Sequence, residues 1–190
     1  MKKILLISLM IIASALNVIP AGAQTQQPQA PPSSTAKIKW LDIEEAQALN
    51  KKKPKKIFID MFTDWCGWCK KMDAATFINP VIVEYMNQNF YAVKFNAERK
   101  DTVTFNGNKY VNPNPTGSRS SHQLAQELLG GRMSYPSFVF LDENLKKITI
   151  VPGYQKAPQF ESILHFFGEN AYLKQGFEEF NASFKGTAVE

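Results

Sequence analysis

The sequence predicts an α/β domain in which helices flank a central mixed β-sheet. Two nearly continuous apolar runs, at 57–62 and 90–95, are typical of strands that are covered on both faces. Two later apolar runs, at 137–141 and 147–151, are joined by so short a connection that the strands must pair antiparallel. Strands that alternate with helices and then form a hairpin indicate this fold class.

The first 36 residues have the composition of a targeting segment and a linker. The charged pair Lys2-Lys3 precedes a short apolar run and three small residues, which predicts a cleavable signal peptide over 1–23. An uncleaved anchor is the alternative, but the apolar run is shorter than the roughly 20 residues that a membrane span needs. Residues 24–36 are rich in Gln, Pro, Ser and Ala and predict a flexible leader, so the folded domain is expected at 37–190.

The charge of the chain does not favour a nucleic-acid partner. The formal net charge is +5, and it falls when the two leading lysines are removed with the signal peptide. Much of the remainder comes from the lysine-rich run at 51–56. We interpret this run as a solvated approach to the first buried strand rather than as a basic binding site, because export separates the protein from most nucleic acid.

The predicted domain begins with an edge strand and a helix. Residues 37–40 alternate in polarity and predict a short edge strand. Asp42 is placed to cap a helix whose apolar residues follow at a spacing of three, and Pro54 ends that element. The strand at 57–62 comes next.

Two helices connect the first buried strand to the second. One is predicted from about Cys66 to Ala75, after the turn at Thr63-Asp64. Asn79-Pro80 breaks it and begins a second short helix, which leads into the strand at 90–95.

The composition changes between residues 98 and 131. An Asn106-Gly107 pair between two short β-prone runs predicts a small hairpin. After a loop, Ser120 or Ser121 is expected to cap a helix that ends at Gly130-Gly131. Beyond the strands at 137–151, a helix is predicted from Ala157-Pro158 and a last helical stretch over about 172–184.

The chain contains only two cysteines, Cys66 and Cys69, in the pentapeptide Trp-Cys-Gly-Trp-Cys. Such a pair is half of a zinc site, part of a haem attachment, or a dithiol. Haem attachment requires His after the second cysteine, where Lys70 stands. The chain's histidines, His122 and His165, do not have the spacing of zinc ligands and are interpreted as surface or core-edge residues. We therefore predict a dithiol with neither metal nor cofactor.

The position of the pair predicts its chemistry. A helix N-terminus stabilises a thiolate, so Cys66 is expected to be the nucleophile of disulfide exchange. Cys69 lies one turn deeper and is expected to be more shielded, with the higher pKa, and to resolve the mixed disulfide. A single close pair in a chain long enough for an ordinary core is unlike a structural disulfide framework.

The chain resembles the thioredoxin family over roughly residues 38–167, and three motifs within this range carry the resemblance. The first is 58–70, which is similar to the family's active-site strand and helix. The resemblance implies that Asp60, six residues before Cys66, lies buried behind Cys69 and transfers its proton. Burial would raise the pKa of Asp60, whereas an edge position facing solvent is the alternative. The second motif, 92–96, implies that Lys94 contacts this acid; solvent exposure of Lys94 explains the pattern equally well.

The third motif is 133–137. Family members have a cis-proline here, opposite the cysteines, which implies that Pro136 and the Tyr135 backbone position an extended substrate by strand addition. Trp65, Gly67 and Trp68 surround the cysteines and are expected to contact the substrate, with the tryptophans as an apolar platform. Packing of Trp65 against the sheet alone is the alternative.

The sequence departs from the family in two places. Gly67-Trp68 stands between the cysteines where cytosolic thioredoxins have Gly-Pro, so their redox potential cannot be transferred. The insertion at about 98–131 resembles an elaboration of exported thioredoxin-like proteins and is expected to cover or shape the substrate groove.

The resemblance implies a periplasmic thiol–disulfide oxidoreductase of a bacterial envelope. We expect it to be a monomer that reduces protein substrates with cysteines or disulfides, supplied with electrons by a membrane-bound thiol donor. A disulfide oxidase or isomerase is the first alternative. A non-catalytic protein-binding module with the same fold is the second.

Overall fold

The computed structural model describes residues 36–190 of the chain. The strands are β1 (Trp40–Leu41), β2 (Lys56–Phe62), β3 (Phe90–Asn96), β4 (Val103–Phe105), β5 (Asn108–Tyr110), β6 (Ser137–Leu141) and β7 (Lys147–Pro152). The helices are α1 (Ile43–Lys52), α2 (Gly67–Ala74), α3 (Pro80–Asn89), α4 (Gln123–Leu128), α5 (Ala157–Gly168) and α6 (Phe177–Ser183), with short 3₁₀ helices at Thr76–Ile78 and Ala171–Leu173. The signal peptide predicted at 1–23, and all but the end of the predicted leader, lie outside the described residues. None of the helices in 36–190 is long and apolar enough to cross a membrane.

Five strands form one mixed sheet in the order β1-β3-β2-β6-β7, which confirms the predicted fold class. β2 lies in the centre, parallel to β3 and antiparallel to β6. β7 is antiparallel to β6, as the short connection between them requires. The chain that leaves the carboxyl end of β2 therefore starts from the middle of the sheet.

The side chains of β2 alternate between two cores. Phe58 lies in the core formed with α2, α3 and α5. Ile57, Ile59 and Met61 lie in the core formed with α1 and α4. All four are fully buried, and each such side chain contributes roughly 1.5–3 kcal/mol to folding. Because successive strand residues point to opposite faces, Asp60 shares the face of Phe58, on the side of α2.

Three helices begin where the sequence predicts. Asp42 caps α1 by accepting a hydrogen bond from the Glu44 N–H, and Asn79 caps α3 by accepting one from the Val81 N–H. Cys66 caps α2 through its sulfur. Side-chain acceptors at these positions satisfy amides that the first helical turn leaves without partners.

The start of α4 was predicted wrongly. His122, and not Ser120 or Ser121, is the N-cap: its Nδ1 accepts the Leu124 N–H at 3.2 Å, while its Nε2 lies 3.1 Å from the Asp101 carbonyl oxygen. The ring is fully buried rather than at the surface or core edge, and burial lowers the pKa of His122. The neutral imidazole therefore caps α4. The sequence pattern that predicted a serine cap gave no indication of this.

Three further expectations need correction. The first strand is limited to two residues of the four predicted at 37–40. Lys56, in the run expected to be solvated, is 3% exposed and donates to Glu143 at 2.7 Å. The stretch predicted over 172–184 is divided into a 3₁₀ turn and α6, because Gly176 has an extended backbone and begins α6 as its N-cap.

The hairpin predicted around Asn106-Gly107 is confirmed as β4 and β5. Both turn residues have positive φ, of 48° and 80°, which a tight hairpin turn requires. The hairpin does not join the main sheet. Gln47 of α1 instead donates to the Thr104 carbonyl oxygen at 2.9 Å and accepts the Asn106 N–H at 2.8 Å, so this part of the insertion packs against α1.

Candidate active site

Cys66 and Cys69 form a disulfide at the start of α2, with Cα atoms 5.3 Å apart. The turn after β2 presents the pair, because the Cys66 N–H donates to the Thr63 carbonyl oxygen at 3.1 Å. The Cys66 sulfur in turn accepts the Cys69 N–H at 3.1 Å. The two residues are 4% and 3% exposed, so the expected difference in shielding is not seen in this disulfide-bonded state. The partial positive charge of the helix N-terminus acts directly on the Cys66 sulfur.

Asp60 lies on the central strand beneath α2 and is completely buried. An edge position facing solvent is therefore wrong, since β3 and β6 flank β2 on both sides. Burial raises the pKa of Asp60 to about 6, although the nearby Lys94 opposes the rise. Neither carboxylate oxygen accepts a hydrogen bond from a backbone amide or a hydroxyl group of the described residues. The acid is thus available to bind or release a proton near neutral pH.

Lys94 confirms the predicted contact with this acid. It is opposite Asp60 in the β2–β3 register, and its Nζ lies 2.7 Å from Asp60 Oδ2, so the two side chains form an ion pair. The same ammonium donates to Asp73 of α2. Lys94 therefore connects the buried acid to a carboxylate that is 44% exposed. Sequence reasoning missed Asp73, although its position four residues after Cys69 places it on the same face of the helix.

The Tyr135–Pro136 peptide bond is cis, as the family resemblance implies. The Pro136 carbonyl oxygen accepts the Gly153 N–H at 2.8 Å, which attaches this loop to the end of β7. The Tyr135 backbone N–H and C=O form no hydrogen bond with another described residue. A groove of about 350 Å³ runs past Trp68, Pro136 and Tyr154. An extended chain in this groove would find unpaired backbone groups.

Trp65 is 52% exposed and does not pack against the sheet alone. Its indole Nε1 donates to Glu98 Oε1 at 3.0 Å, and its ring meets the Tyr135 ring edge-on with centroids 5.9 Å apart. The Arg119 guanidinium carbon lies 5.2 Å from the centroid of the Trp65 ring. Glu98 and Arg119 both belong to the insertion, so this segment reaches the disulfide-bearing surface. No sequence pattern indicated either contact.

Trp68 is 56% exposed and contacts other side chains than Trp65 does. Its ring is tilted against Tyr154, with centroids 5.5 Å apart, and the Lys71 ammonium lies about 5 Å from both rings. A Cβ added at Gly67 would meet nothing within 4 Å, so the backbone at the first helical position stays open to a partner. Tyr154 and Lys71 were not predicted as site residues.

Among residues 36–190, no group of three His, Cys, Asp or Glu side chains is placed to hold a metal ion. The groups that can take part in chemistry at this site are a disulfide, a helix N-terminus and a buried acid. An aromatic surface and free backbone groups lie next to them. This set is suited to exchange of a disulfide with an extended polypeptide.

Comparisons with known proteins agree on the fold. Residues 43–168 match the family model of a thioredoxin-like domain. No curated protein matches the chain significantly. A candidate disulphide-isomerase from Bacteroides thetaiotaomicron is similar at 20% identity over 74% of this chain and 98% of its own, with a TM-score of 0.51. A thioredoxin from Thermus thermophilus is similar at 15% identity over 80% of this chain and 99% of its own, with a TM-score of 0.51. A DsbH oxidoreductase reaches 21% identity over 71% and 84% of the two chains, with a TM-score of 0.45. The first two similarities show the thioredoxin fold.

Proposed function

The chain belongs to the thioredoxin-like domain family, and from this premise we propose that it is a thiol–disulfide oxidoreductase of the bacterial cell envelope that reduces protein disulfides. The observation that carries the proposal is the Cys66–Cys69 disulfide at the N-terminus of α2, above the buried Asp60. A purely structural bridge needs neither an activating helix terminus nor a carboxylate with a pKa near neutrality.

The first step uses the reduced protein. The Cys66 thiolate attacks one sulfur of the partner's disulfide, and the partner's other sulfur leaves as a thiolate that takes a proton from water. The product is a mixed disulfide between Cys66 and the partner. The helix N-terminus assists because it lowers the free energy of the attacking thiolate.

The second step releases the partner. Asp60 takes the proton of Cys69, and the resulting thiolate attacks the Cys66 sulfur. The partner's remaining sulfur leaves as a thiolate, and the Cys66–Cys69 disulfide is restored, so two electrons have passed to the partner. A base whose pKa is near the working pH is efficient in such a transfer, which fits the pKa of about 6 at Asp60.

The surface around the disulfide positions the substrate. The unpaired N–H and C=O of Tyr135 would pair with the partner's backbone as an added strand, with Pro136 holding them opposite the cysteines. Trp65 and Trp68 would contact apolar side chains on either side of the partner's cysteine, and Gly67 leaves room for its backbone.

The cellular setting follows from the N-terminal sequence. The predicted signal peptide supports a periplasmic location, among oxidised proteins, where a reductase must itself be reduced after each cycle. We propose that a membrane-bound thiol donor supplies these electrons and that the protein acts as a monomer.

Insulin reduction tests the proposal. Cys66→Ser should lose at least roughly a thousandfold in rate, because the nucleophile is gone, while Cys69→Ser should accumulate mixed disulfides that dithiothreitol releases. Leu173→Ser, at an exposed residue of the second 3₁₀ helix, is the matched control and should retain full activity. Wild-type activity in Cys66→Ser would rule out the dithiol mechanism.

The direction of electron flow is decided by the reduction potential. A potential of about −270 mV, which is typical of thioredoxin, supports a reductase. A potential of about −120 mV supports an oxidase. An isomerase would show reshuffling of scrambled disulfides at an intermediate value. A potential far below about −300 mV, together with unreactive cysteines, would support the non-catalytic binding module instead.

A further inference from the structure

An apolar cavity of about 510 Å³ lies beside the proposed active site. Its volume is in the range of roughly 300 to 1,000 Å³ that ligand sites occupy. Three separate parts of the chain line it: the 3₁₀ helix and turn after α2, the loop before α5, and the C-terminal residues. We call it the outer pocket, and its principal lining residues are Thr76, Ile78, Pro80, Tyr154, Lys156 and Val189.

The outer pocket adjoins the substrate groove, and the two share one lining residue. Tyr154 lines both the groove at Pro136 and the outer pocket, and the Trp68 ring leans against it. Six large apolar side chains are exposed among the described residues, and three of them, Trp68, Ile78 and Val189, line the groove or the outer pocket. Exposed apolar side chains that cluster in this way mark an interaction site.

Two lysines, Lys71 and Lys156, lie at the edge of this apolar surface. Lys71 lies over the Trp68 and Tyr154 rings and forms no ion pair with a described residue. Lys156 is on the rim of the outer pocket, where it pairs with Glu190 at 2.6 Å, both side chains being mostly exposed. An exposed pair of this kind exchanges partners readily, because solvent screens it. The surface therefore complements a segment that combines apolar and acidic side chains.

The wall formed by the C-terminal residues is held by specific contacts. The buried Glu161 accepts the Thr187 N–H at 2.9 Å and the Ala188 N–H at 2.8 Å. Asn79 donates to the Val189 carbonyl oxygen at 2.8 Å. At Gly186 an added Cβ would lie 2.5 Å from Glu161 Oε2, so the close approach of this segment requires glycine there. Specific hydrogen bonds and close packing therefore hold this wall of the outer pocket in place.

We propose that the outer pocket binds an apolar side chain of the partner polypeptide, in a segment that also presents a carboxylate to Lys71 or Lys156. This inference rests on the proposed function and narrows its substrate class. The preferred partner has its reactive cysteine in an extended stretch, with an apolar and an acidic residue a short distance away on one side. The groove at Tyr135 binds the backbone of the partner, and the outer pocket determines which side chains of the partner are preferred.

Single-cysteine peptides in mixed disulfide with thionitrobenzoate test this selection. The Cys66 thiolate of the reduced full chain attacks the peptide sulfur, and the thionitrobenzoate anion leaves as a coloured product. One peptide series carries Leu and Glu at successive distances on either side of the cysteine, and the matched series carries Ser and Lys. At one spacing we expect the Leu-Glu peptide to react roughly tenfold faster, the scale of burying one apolar side chain.

Two variants locate the effect. Ile78→Asn and Lys156→Gln, both at exposed residues, should lose the preference, so that the Leu-Glu and Ser-Lys peptides react at rates within about twofold of each other. Leu173→Asn is the control and should keep the preference. Equal rates for both peptide series, or a preference that survives in both outer-pocket variants, would overturn the inference and leave the proposed function intact. Wild-type protein that reacts with neither series, like Cys66→Ser, would overturn the proposed function and this inference with it.

Discussion

Two buried carboxylates in this molecule have opposite surroundings. Asp60 is fully buried, and its polar partner is the Lys94 ammonium rather than a backbone amide or hydroxyl of the described residues. Glu161, 3% exposed, accepts hydrogen bonds from two backbone amides and a hydroxyl. Burial raises the pKa of Asp60 to about 6, although Lys94 opposes the rise. Backbone donors hold the buried Glu161 as a structural anchor, whereas Asp60, which has none, can exchange a proton near neutral pH.

The difference arises from the elements that carry the two acids. Asp60 is on the central strand, where β3 and β6 already use the neighbouring backbone amides. Glu161 is on α5, beside C-terminal residues whose amides belong to no strand or helix. A side chain facing the interior from mid-sheet therefore finds few donors, whereas one beside irregular backbone finds several.

The comparison predicts its largest effect on catalysis. Asp60→Asn should slow the resolution of a preformed mixed disulfide by roughly a hundredfold to a thousandfold, because the base for Cys69 is lost. The rate of the wild-type protein should rise with pH through the pKa of Asp60, and the variant should lose this inflection. Stopped-flow measurement of partner release gives both quantities. Glu161→Gln is the control, and an unchanged rate in Asp60→Asn would remove its role as base.

The next effect is on the pH dependence of stability. Between pH 3.8 and about 6 the unfolded chain has released the Asp60 proton while the folded oxidised protein retains it. The unfolded state binds fewer protons there, so this residue lowers the free energy of unfolding as pH rises through the window, by on the order of 2–3 kcal/mol, with no further change above it.

Urea unfolding at pH 4 and pH 7 measures this effect. Asp60→Asn should lack the decrease and be more stable than the wild-type protein at pH 7. Glu161→Gln should retain the decrease, since it leaves Asp60 in place. The same decrease in Asp60→Asn would show that other groups produce it.

The smallest expected effect is on stability alone, and it distinguishes the anchoring role of Glu161 from the role of Asp60 as a base. Glu161→Gln should lower the free energy of unfolding by about 2 kcal/mol at pH 7, because charge-assisted hydrogen bonds to two backbone amides are weakened. Its rate of insulin reduction should stay near the wild-type value. Glu178→Gln, at an exposed acid of α6, is the matched control and should change stability little. Equal stability of the two variants would contradict the anchoring role.

Much of the fold was predictable because its signals are local. The apolar run of β2, the Asn106-Gly107 turn and the Asp42 cap each depend on neighbours within a few residues, and all three are confirmed. The α4 cap at His122 was missed, because the imidazole acts as a cap only once Asp101 and the core surround it. The division of the last helical stretch at Gly176 was also missed, although a glycine inside a helical pattern is a local signal of an interruption.

The candidate site was predictable where the family motifs extend. The Cys66–Cys69 pair, the Asp60–Lys94 contact and the cis bond before Pro136 all lie within those motifs. Tyr154, Glu98, Arg119 and the outer pocket do not. They come from a loop, an insertion and the C-terminal residues, whose positions around the disulfide depend on packing between distant parts of the chain.

By itself, the sequence determined the succession of strands and helices and the presence of a cysteine pair at a helix start, because periodicity and capping act over a few residues. Only the tertiary structure decided which acid lacks hydrogen bonds from the backbone and which aromatic side chains share one surface. Burial, dielectric environment and the supply of donors are properties of the packed interior, and residues far apart in the chain create them together.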